Sequence, residues 1–281
     1  MQVESTRKQH VHDMWEAVAG GWDEHAAYVD DRAAAAAARL LELAAPRPGE
    51  RVLELACGPG GLGIAAARLV GADGEVVVSD VAPGMTAIAR RRAEELGLEQ
   101  GAARTLDVDD IDEPDASYDV VLCREGLMFA FDPATASGEI GRVLRSGGRA
   151  AVAVWGPREL NPWLGVVFDT VAEQLGRPIP PPNLPGPFAL GDAGRLLHLL
   201  EAGGLADVIV EELDVPLIAA SVDEWWRRTS ALAGPLTQIL ASLSPQAAAE
   251  LDERMREAVR PYETASGVEF PGLTLIAAGR R

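Results

Sequence analysis

Short apolar runs alternate with helical segments from residue 51 onward, and this alternation constrains the fold more than any other feature. Residues 51–56, 75–80 and 117–123 are apolar runs rich in Val and Leu. Such continuous runs between helices indicate a parallel sheet that is covered on both faces. Because crossovers between parallel strands are right-handed, the sheet is doubly wound and its ligands collect at the carboxyl ends of the strands.

Further segments bring the number of predicted strands to seven. The remaining strands are residues 103–106, 147–155, 206–217 and 272–278. Helices are predicted over residues 83–96, 133–144, 161–175, 223–232 and 245–259. Another helix is predicted between Asp192, as its cap, and Gly203.

The pattern changes after Trp155, which indicates insertions into the sheet domain. A proline-rich stretch over residues 177–187 excludes helix, and a long helical pattern separates the last two strands. We predict that these insertions and the N-terminal helices cover the ligand edge of the sheet. The predicted organisation is a helical lid (1–45), a Rossmann-like cofactor-binding core (46–155), a cap insertion (156–190), a core continuation (191–217), a helical cap insertion (218–270) and a last core strand (271–281).

Composition and charge exclude several classes of protein. With 25 Lys and Arg against 43 Asp and Glu, the formal charge is −18, so nucleic acid is not an expected partner. No apolar run approaches the roughly 18 residues of a membrane span. The first residues lack the apolar core of a signal peptide. Two cysteines cannot form a disulfide framework and the four histidines lack metal-ligand spacing, so we expect a cytoplasmic protein without a metal.

Residues 54–63, ELACGPGGLG, are the most informative motif in the chain. Gly58, Gly60 and Gly63 fit G-x-G-x-x-G between a predicted strand and a predicted helix, where glycine lets the backbone approach a nucleotide-like ligand. A tight strand-to-helix turn is the structural alternative. Asp80 ends the next strand, where an acidic residue holds ribose hydroxyls. These residues fit both a nicotinamide cofactor and S-adenosylmethionine, because each carries adenosine.

Three features separate these two cofactors. Glu54 ends the first strand, where it would repel a pyrophosphate but can meet a cationic amino-acid moiety. Asp107 ends the third strand, where it can accept a hydrogen bond from an adenine amino group. The helix-rich insertion before the closing segment suggests a seventh strand added after the sixth. These features favour S-adenosylmethionine.

Together these residues resemble the class I S-adenosylmethionine-dependent methyltransferases, in the branch of the ubiquinone and menaquinone biosynthesis methyltransferases and many natural-product enzymes. ELACGPGG resembles the first motif of the family, SDVAPGM the second, LDVDDI the adenine loop and ASYDVVLCREGLMF the fourth-strand motif. RVLRSGGR and PFALGDAGRLLHLLEAGGL resemble later segments, and MWEAVAGGWDEH resembles the helix that closes over the cofactor. The resemblance covers most of the chain. It implies a Rossmann-like, doubly wound α/β fold with a seven-stranded, mostly parallel sheet, an antiparallel last strand and a helical cap.

The resemblance also implies a cofactor site. Asp80 would bind both ribose hydroxyls, Met85 would pack on adenine, and Asp107 with the Val108 backbone would bind the adenine edge. The cofactor would be S-adenosylmethionine, with S-adenosylhomocysteine as its product. The full predicted set is Trp22, Glu54, Ala56, Gly58, Gly60, Asp80, Val81, Met85, Asp107, Val108, Asp109 and Cys123.

The candidate catalytic bases are His25, Tyr28, Glu125 and Tyr262, of which we select His25 and Glu125. Methyl transfer from a sulfonium expels a neutral group, so a base is needed only if the acceptor must lose a proton. An exposed or capping role for His25, and a salt bridge to Arg124 for Glu125, fit the sequence equally well. The charged pair Arg124-Glu125 departs from the neutral polar residues expected in the family, and this departure bears on the acceptor pocket.

We predict a methyltransferase (EC 2.1.1.-) that acts on an O or C atom of a small, apolar or aromatic acceptor. A nicotinamide-dependent oxidoreductase would need a Tyr–Lys pair, and Lys8 is the only lysine. A non-methylating relative, such as a scaffold or a cyclase, stays open because no motif marks the acceptor site. The cap could pair with its copy in a homodimer, although the sequence carries no specific interface signal.

Overall fold

A computed structural model of the chain describes residues 2–98, 101–179 and 185–281. Residues 1, 99–100 and 180–184 belong to the predicted segments 1–45, 46–155 and 156–190 and lie outside the described residues. The strands are β1 (Arg51–Leu55), β2 (Glu75–Asp80), β3 (Gly101–Thr105), β4 (Tyr118–Arg124), β5 (Leu144–Trp155), β6 (Ala206–Asp214), β7 (Leu217–Ala219), β8 (Glu263–Thr264), β9 (Gly267–Phe270) and β10 (Leu273–Arg280).

The helices surround the strands and are mostly of ordinary length. Within the described ranges, no helix is both long enough and apolar enough to cross a membrane. The α-helices are α1 (Gln2–Glu24), α2 (Ala26–Arg32), α3 (Ala34–Ala44), α4 (Gly61–Val70), α5 (Pro83–Glu95), α6 (Pro133–Val143), α7 (Pro162–Leu175), α8 (Ala193–Ala202), α9 (Val222–Leu232), α10 (Gly234–Ala241) and α11 (Pro245–Val259).

Seven strands form one sheet in the order β3-β2-β1-β4-β5-β10-β6. β1 pairs in parallel with β2 and with β4, and β5 continues the parallel series beside β4. β10 lies between β5 and β6 and is antiparallel to both. The predicted doubly wound, mostly parallel sheet with an antiparallel last strand is therefore confirmed. The order reverses between β1 and β4, which is where ligands bind in folds of this type.

Alternating side chains of the central strands fill both faces of the sheet. Val52, Val120 and Leu122 pack with apolar residues of α3 and α4 on one face. Leu53 and Val121 pack with apolar residues of α6 and α8 on the other. Because successive side chains in a strand point to opposite faces, continuous apolar runs are needed when helices cover both.

The cap differs from our prediction. It contains α7, α9, α10 and α11, but also a separate small sheet in the order β7-β9-β8. The strand predicted over residues 206–217 therefore ends at Asp214, and the insertion over 218–270 is not purely helical. Pro216 explains the break, since proline cannot donate to a strand ladder. The other predicted domain boundaries stay predictions.

Asn161, at the start of α7, fastens the cap to the sheet. Its amide nitrogen donates to the carbonyl oxygens of Gly156 (3.3 Å), Pro157 (3.1 Å) and Leu273 (2.9 Å). Its amide oxygen accepts from the Leu273 N–H (3.1 Å) and from Nε1 of Trp163 (3.2 Å). The side chain is buried, so these bonds join the segment after β5 to the start of β10 without competition from water.

We expect Asn161→Ala to lower the free energy of unfolding by about 2–4 kcal/mol, because it leaves buried backbone and indole groups without partners. Urea denaturation followed by circular dichroism measures the change. Gln246→Ala is the control, since the Gln246 amide bonds only Glu250 on an exposed helix face. A loss for Asn161→Ala no larger than that of the control would show that this residue does not fasten the cap.

Candidate functional site

A cleft opens at the carboxyl ends of β1, β2, β4 and β5, beneath α1, α2 and the cap. We call its two ends the loop side and the cap side. The loop side is lined by Ala56, Gly58, Asp80, Val81, Met85 and residues 107–109, and it is covered by His12, Trp15 and Trp22 of α1. The cap side is lined by Tyr28, Arg32, Glu125, Phe129, Trp155, Trp163 and Phe168. The position of the cleft matches the edge at which the sequence predicts ligands to collect.

Two buried carboxylates hold the glycine loop between β1 and α4. The Gly63 N–H donates to Glu54 (2.9 Å), and the Gly58 N–H donates to Asp80 (3.0 Å). Gly58 and Gly60 have φ of 52° and 81°, in the left-handed region that favours glycine. A Cβ on Gly60 would lie 2.6 Å from the Cβ of Ala89, so this glycine also allows α5 to pack against the loop.

Asp80 lies at the end of β2, where it supports the loop and faces the cleft. Its second carboxylate oxygen accepts from the Ala82 N–H (3.0 Å). Burial raises the pKa of Asp80 to about 6, against the opposing effect of the backbone hydrogen bonds from Ala82 and Gly58. The carboxyl group is therefore mostly ionised at neutral pH and can accept hydrogen bonds from a ligand.

The acidic loop that follows β3 forms the next wall of the loop side. Asp107 accepts from the Asp109 N–H (2.9 Å), and Asp109 accepts from the N–H groups of Phe131 (2.9 Å) and Asp132 (3.2 Å). Burial raises the pKa of Asp109. These bonds orient the loop so that residues 107–109 all line the cleft.

Residues 2–32, comprising α1 and α2, form a lid over the loop side. Lys8 lies 3.5 Å from the carboxylates of both Asp107 and Asp109. Two ring atoms of Trp22 lie 3.3 Å from the position that a Cβ on Gly58 would occupy, so the indole rests on the loop. The Trp22 Nε1 donates to the Leu232 carbonyl (3.0 Å), which ties the lid to the cap as well.

The second half of the lid is fixed by ion pairs to α5. Asp23 pairs with Arg91, and Asp30 pairs with Arg92, each at 2.5 Å. Arg92 also donates to the Pro59 carbonyl (2.6 Å), so one guanidinium links the lid to the glycine loop. The lid is therefore closed over the cleft, in the arrangement that the family resemblance implies for this helix.

Nine of the twelve predicted cofactor residues line the cleft: Trp22, Ala56, Gly58, Asp80, Val81, Met85, Asp107, Val108 and Asp109. Gly60, Glu54 and Cys123 do not line it: Gly60 packs on Ala89, Glu54 lies beneath the loop, and Cys123 is fully buried. Of the candidate bases, Glu125 lines the cleft and His25 does not. His25 stands at the N-terminus of α2 without a side-chain capping bond.

Glu54 is a carboxyl group buried behind the site. Burial raises its pKa to about 8, although Arg124 and the Gly63 N–H both lower it. Its exposure is 1%, so it supports the start of α4 and does not face a ligand directly. The predicted contact between Glu54 and a cationic amino-acid moiety therefore has no direct geometric support.

Sequence reasoning missed Arg32 on the cap side. This residue ends α2, and its guanidinium carbon lies 4.3 Å from the ring centroid of Trp163 and 5.6 Å from that of Trp155. Tyr28, a candidate from the sequence, also lines the cap side, and its partial burial raises the pKa of its phenol. The charged pair Arg124-Glu125, which departs from the family pattern, also pointed to this part of the cleft.

A doubly wound sheet with β10 inserted next to β5, a glycine loop after β1 and an acidic residue at the end of β2 defines the Rossmann-like methyltransferase class. The methyltransferase domain family matches residues 52–148. The nocamycin O-methyltransferase of Saccharothrix syringae is 31% identical over 198 residues, covering 66% of this chain and 70% of that protein. The chain belongs to this methyltransferase family, as its motifs predict.

Other comparisons agree with this assignment. The ubiquinone/menaquinone biosynthesis C-methyltransferase UbiE of Ectopseudomonas mendocina is 36% identical over 135 residues, 46% of this chain and 51% of that protein. The chain spans about half the length of most of the curated relatives it matches. The YcgJ protein of Bacillus subtilis has the same fold, with a TM-score of 0.60 at 20% identity over 87% of this chain and 97% of that one.

We expect Glu54→Gln to change how stability depends on pH. The raised pKa of Glu54, about 8 against an ordinary 4.5, means that the folded protein holds a proton that the unfolded chain releases between these values. The wild type therefore loses stability as pH rises from 4.5 to 8. Glutamine cannot ionise and still offers an acceptor to Gly63, so the variant should lack this loss.

Thermal denaturation at intervals between pH 5 and pH 8 tests this expectation. The difference in Tm between Glu54→Gln and wild type should grow with pH. At pH 8 it should correspond to a few kcal/mol of unfolding free energy, and each kcal/mol shifts Tm by about 2–4 °C. Glu250→Gln on the exposed face of α11 controls for loss of a surface carboxylate. A difference that stays constant over this range would show that Glu54 is ionised in the folded protein.

Proposed function

We propose that the protein transfers a methyl group from S-adenosylmethionine to an oxygen or carbon atom of a small acceptor. The observation that carries this proposal is the loop side of the cleft, where the glycine loop, Asp80 and the acidic loop meet. These groups offer carboxylate acceptors for ribose hydroxyls and for an exocyclic amine, which are donors. The known activities of the relatives agree with the proposal.

The residues present fit this cofactor. The absence of a Cβ at Gly58 lets the Trp22 ring approach the loop backbone, so loop and indole together form a close-packed wall against which a flat ligand can lie. Asp80 accepts backbone N–H groups on both carboxylate oxygens, and because a carboxylate offers about four acceptor positions it can also accept from a ligand. Met85 lies beneath the lid, where its thioether can pack on a planar ring.

The chain contributes mainly position and the exclusion of water. When bound, S-adenosylmethionine supplies a methyl group activated by a sulfonium, so its departure needs no acid from the protein. The lid covers the loop side and aromatic rings line the cap side. Together they would exclude water from the space between the bound cofactor and the acceptor. Correct alignment of two reactants can account for about 7–11 kcal/mol of a barrier.

Glu125 is our candidate base where the acceptor must lose a proton. It follows β4 directly, has φ of 59° and lines the cap side of the cleft. A non-glycine residue in this conformation is strained, and such strain is often found at functional positions. His25 stays a prediction from the sequence, without a position on the cleft.

The nature of the acceptor follows from the cap side, where rings of Phe129, Trp155, Trp163 and Phe168 favour a small apolar or aromatic molecule. The cleft is covered by the lid and the cap, so a macromolecular acceptor is disfavoured. A cytoplasmic location and a homodimer are further predictions from the sequence.

Calorimetric titration with S-adenosylmethionine, S-adenosylhomocysteine and NADH tests the cofactor. We expect micromolar binding of the first two, and Asp80→Ala should weaken it at least about tenfold, because a hydrogen bond to a charged group contributes about 1.5–3 kcal/mol. Asp110→Ala is the matched control, since this aspartate is exposed in the same acidic loop and does not line the cleft. Binding of NADH alone would refute the proposal.

Single-turnover methyl transfer tests the base. With an acceptor identified by screening hydroxynaphthalenes, Glu125→Gln should slow the reaction by about 10²–10⁴-fold, the usual contribution of a general base. His25→Ala should stay within a few-fold of wild type. If Glu125→Gln also stays within a few-fold, Glu125 is not the base.

A further inference from the structure

Arg32 is a cleft-lining cation that contacts aromatic rings but lacks a hydrogen-bond acceptor among the residues that the structure describes. Within the described residues, its guanidinium makes no hydrogen bond and no ion pair, and its Nε is fully buried. The other arginine of the cleft, Arg124, lies 3.8 Å from Asp30. A buried donor without an acceptor is unfavourable by about 1–3 kcal/mol, and more for a charged group, so the position of Arg32 calls for an explanation.

A second donor without a partner lies beside it. The indole Nε1 of Trp155 is also buried and makes no hydrogen bond within the described part of the chain. Trp155 lines the same cleft, and the Arg32 guanidinium carbon lies 5.6 Å from its ring centroid. Both side chains line the same part of the cleft and both lack an acceptor among the described residues, so an oxygen atom of a ligand could serve them, and the positive charge of Arg32 favours an anionic one.

The surroundings of these donors are flat and aromatic. The rings of Trp155 and Trp163 meet edge to face with centroids 4.8 Å apart, and Phe129 lies 6.5 Å from Trp155 in the same type of contact. The Arg32 guanidinium carbon lies 4.3 Å from the Trp163 ring centroid, and a contact with a ring face uses none of the guanidinium N–H donors. A planar ring fits such walls, and a carboxylate fits a guanidinium edge through two parallel hydrogen bonds.

We infer that the cap side binds an aromatic carboxylate, whose carboxyl group is held by Arg32 and Trp155 while its ring lies against Trp163. This inference rests on the proposed function, since it names the acceptor class of the same cleft. The site joins a residue of the lid to a residue of β5. Glu125 lines the same cleft. Its carboxyl group would repel the carboxylate of the ligand, so that carboxylate must lie next to Arg32.

Calorimetric titration of the full chain, saturated with S-adenosylhomocysteine, tests this site. The probes are 2-naphthoate and the neutral 2-naphthamide, which share shape but differ in charge. We expect 2-naphthoate to bind at least about tenfold more tightly than the amide, the effect of one or two charge-assisted hydrogen bonds. Equal affinities, or no binding of 2-naphthoate, would overturn the inference.

Substitutions assign the preference to its residues. Arg32→Met should abolish the preference for 2-naphthoate, and Trp155→Phe, which keeps a ring but removes the donor, should reduce it about threefold. Arg228→Met is the matched control: this guanidinium also stacks on an aromatic ring, that of Tyr28 at 4.2 Å, but it pairs with Glu224 at 2.8 Å and does not line the cleft. A preference that survives Arg32→Met would overturn the inference, and one unchanged in Trp155→Phe would remove Trp155 from the site.

Glu125→Gln provides a test in the opposite direction. Loss of its negative charge should strengthen binding of 2-naphthoate by a few-fold and leave 2-naphthamide unchanged. Binding of S-adenosylhomocysteine is measured first with every variant. If the wild type does not bind S-adenosylhomocysteine, the proposed function itself is refuted. If the wild type binds it but shows no preference for the carboxylate, only the acceptor class is refuted.

Discussion

Two hydrogen bonds from backbone N–H groups to buried carboxylates determine the shape of the site. Asp80 accepts from Gly58 and Glu54 accepts from Gly63, so the ends of β2 and β1 hold both ends of the glycine loop. The loop in turn sets the direction of α4, the surface on which Trp22 rests and the carbonyl that Arg92 binds. The connection from β1 to α4, the position of the lid and the packing of α5 thus all depend on the glycine loop.

The two sides of the cleft differ in charge, although the cap side also carries Glu125. Carboxylates of Asp80, Asp107 and Asp109 lie on the loop side, whereas Arg32 lies on the cap side. A chain with a formal charge of −18 would repel most anions. The local positive charge of Arg32 would nevertheless allow an anionic acceptor to bind in the cleft. Neutral acceptors and acidic acceptors would therefore be distinguished at the cap side and not by the overall field of the protein.

The sequence predicts residues that stand at strand ends better than residues placed by tertiary packing. Asp80 and Asp107 lie on the cleft because each follows a recognisable strand, and parallel strands end at the same edge. Glu54 also ends a strand, but it lies on the side that meets α4, and the motif alone does not reveal this. The position of Arg32 depends on how α2 packs against β5 and α7. The strands β8 and β9 are too short to show the alternation of apolar and polar residues that marks a strand. No local pattern reports either feature.

The lid has a kinetic consequence. Its ion pairs, Lys8 with Asp107, Asp23 with Arg91 and Asp30 with Arg92, involve partly exposed side chains, which dissolved ions screen within a Debye length of about 8 Å. On the proposed function the cofactor would bind beneath the lid, so exchange of spent for fresh cofactor would require these pairs to separate. Higher ionic strength would then shorten the residence time of the product. An acceptor held by both Arg32 and Trp155 would join the lid to the sheet, so a bound acceptor would oppose opening of the lid and slow the release of the nucleoside.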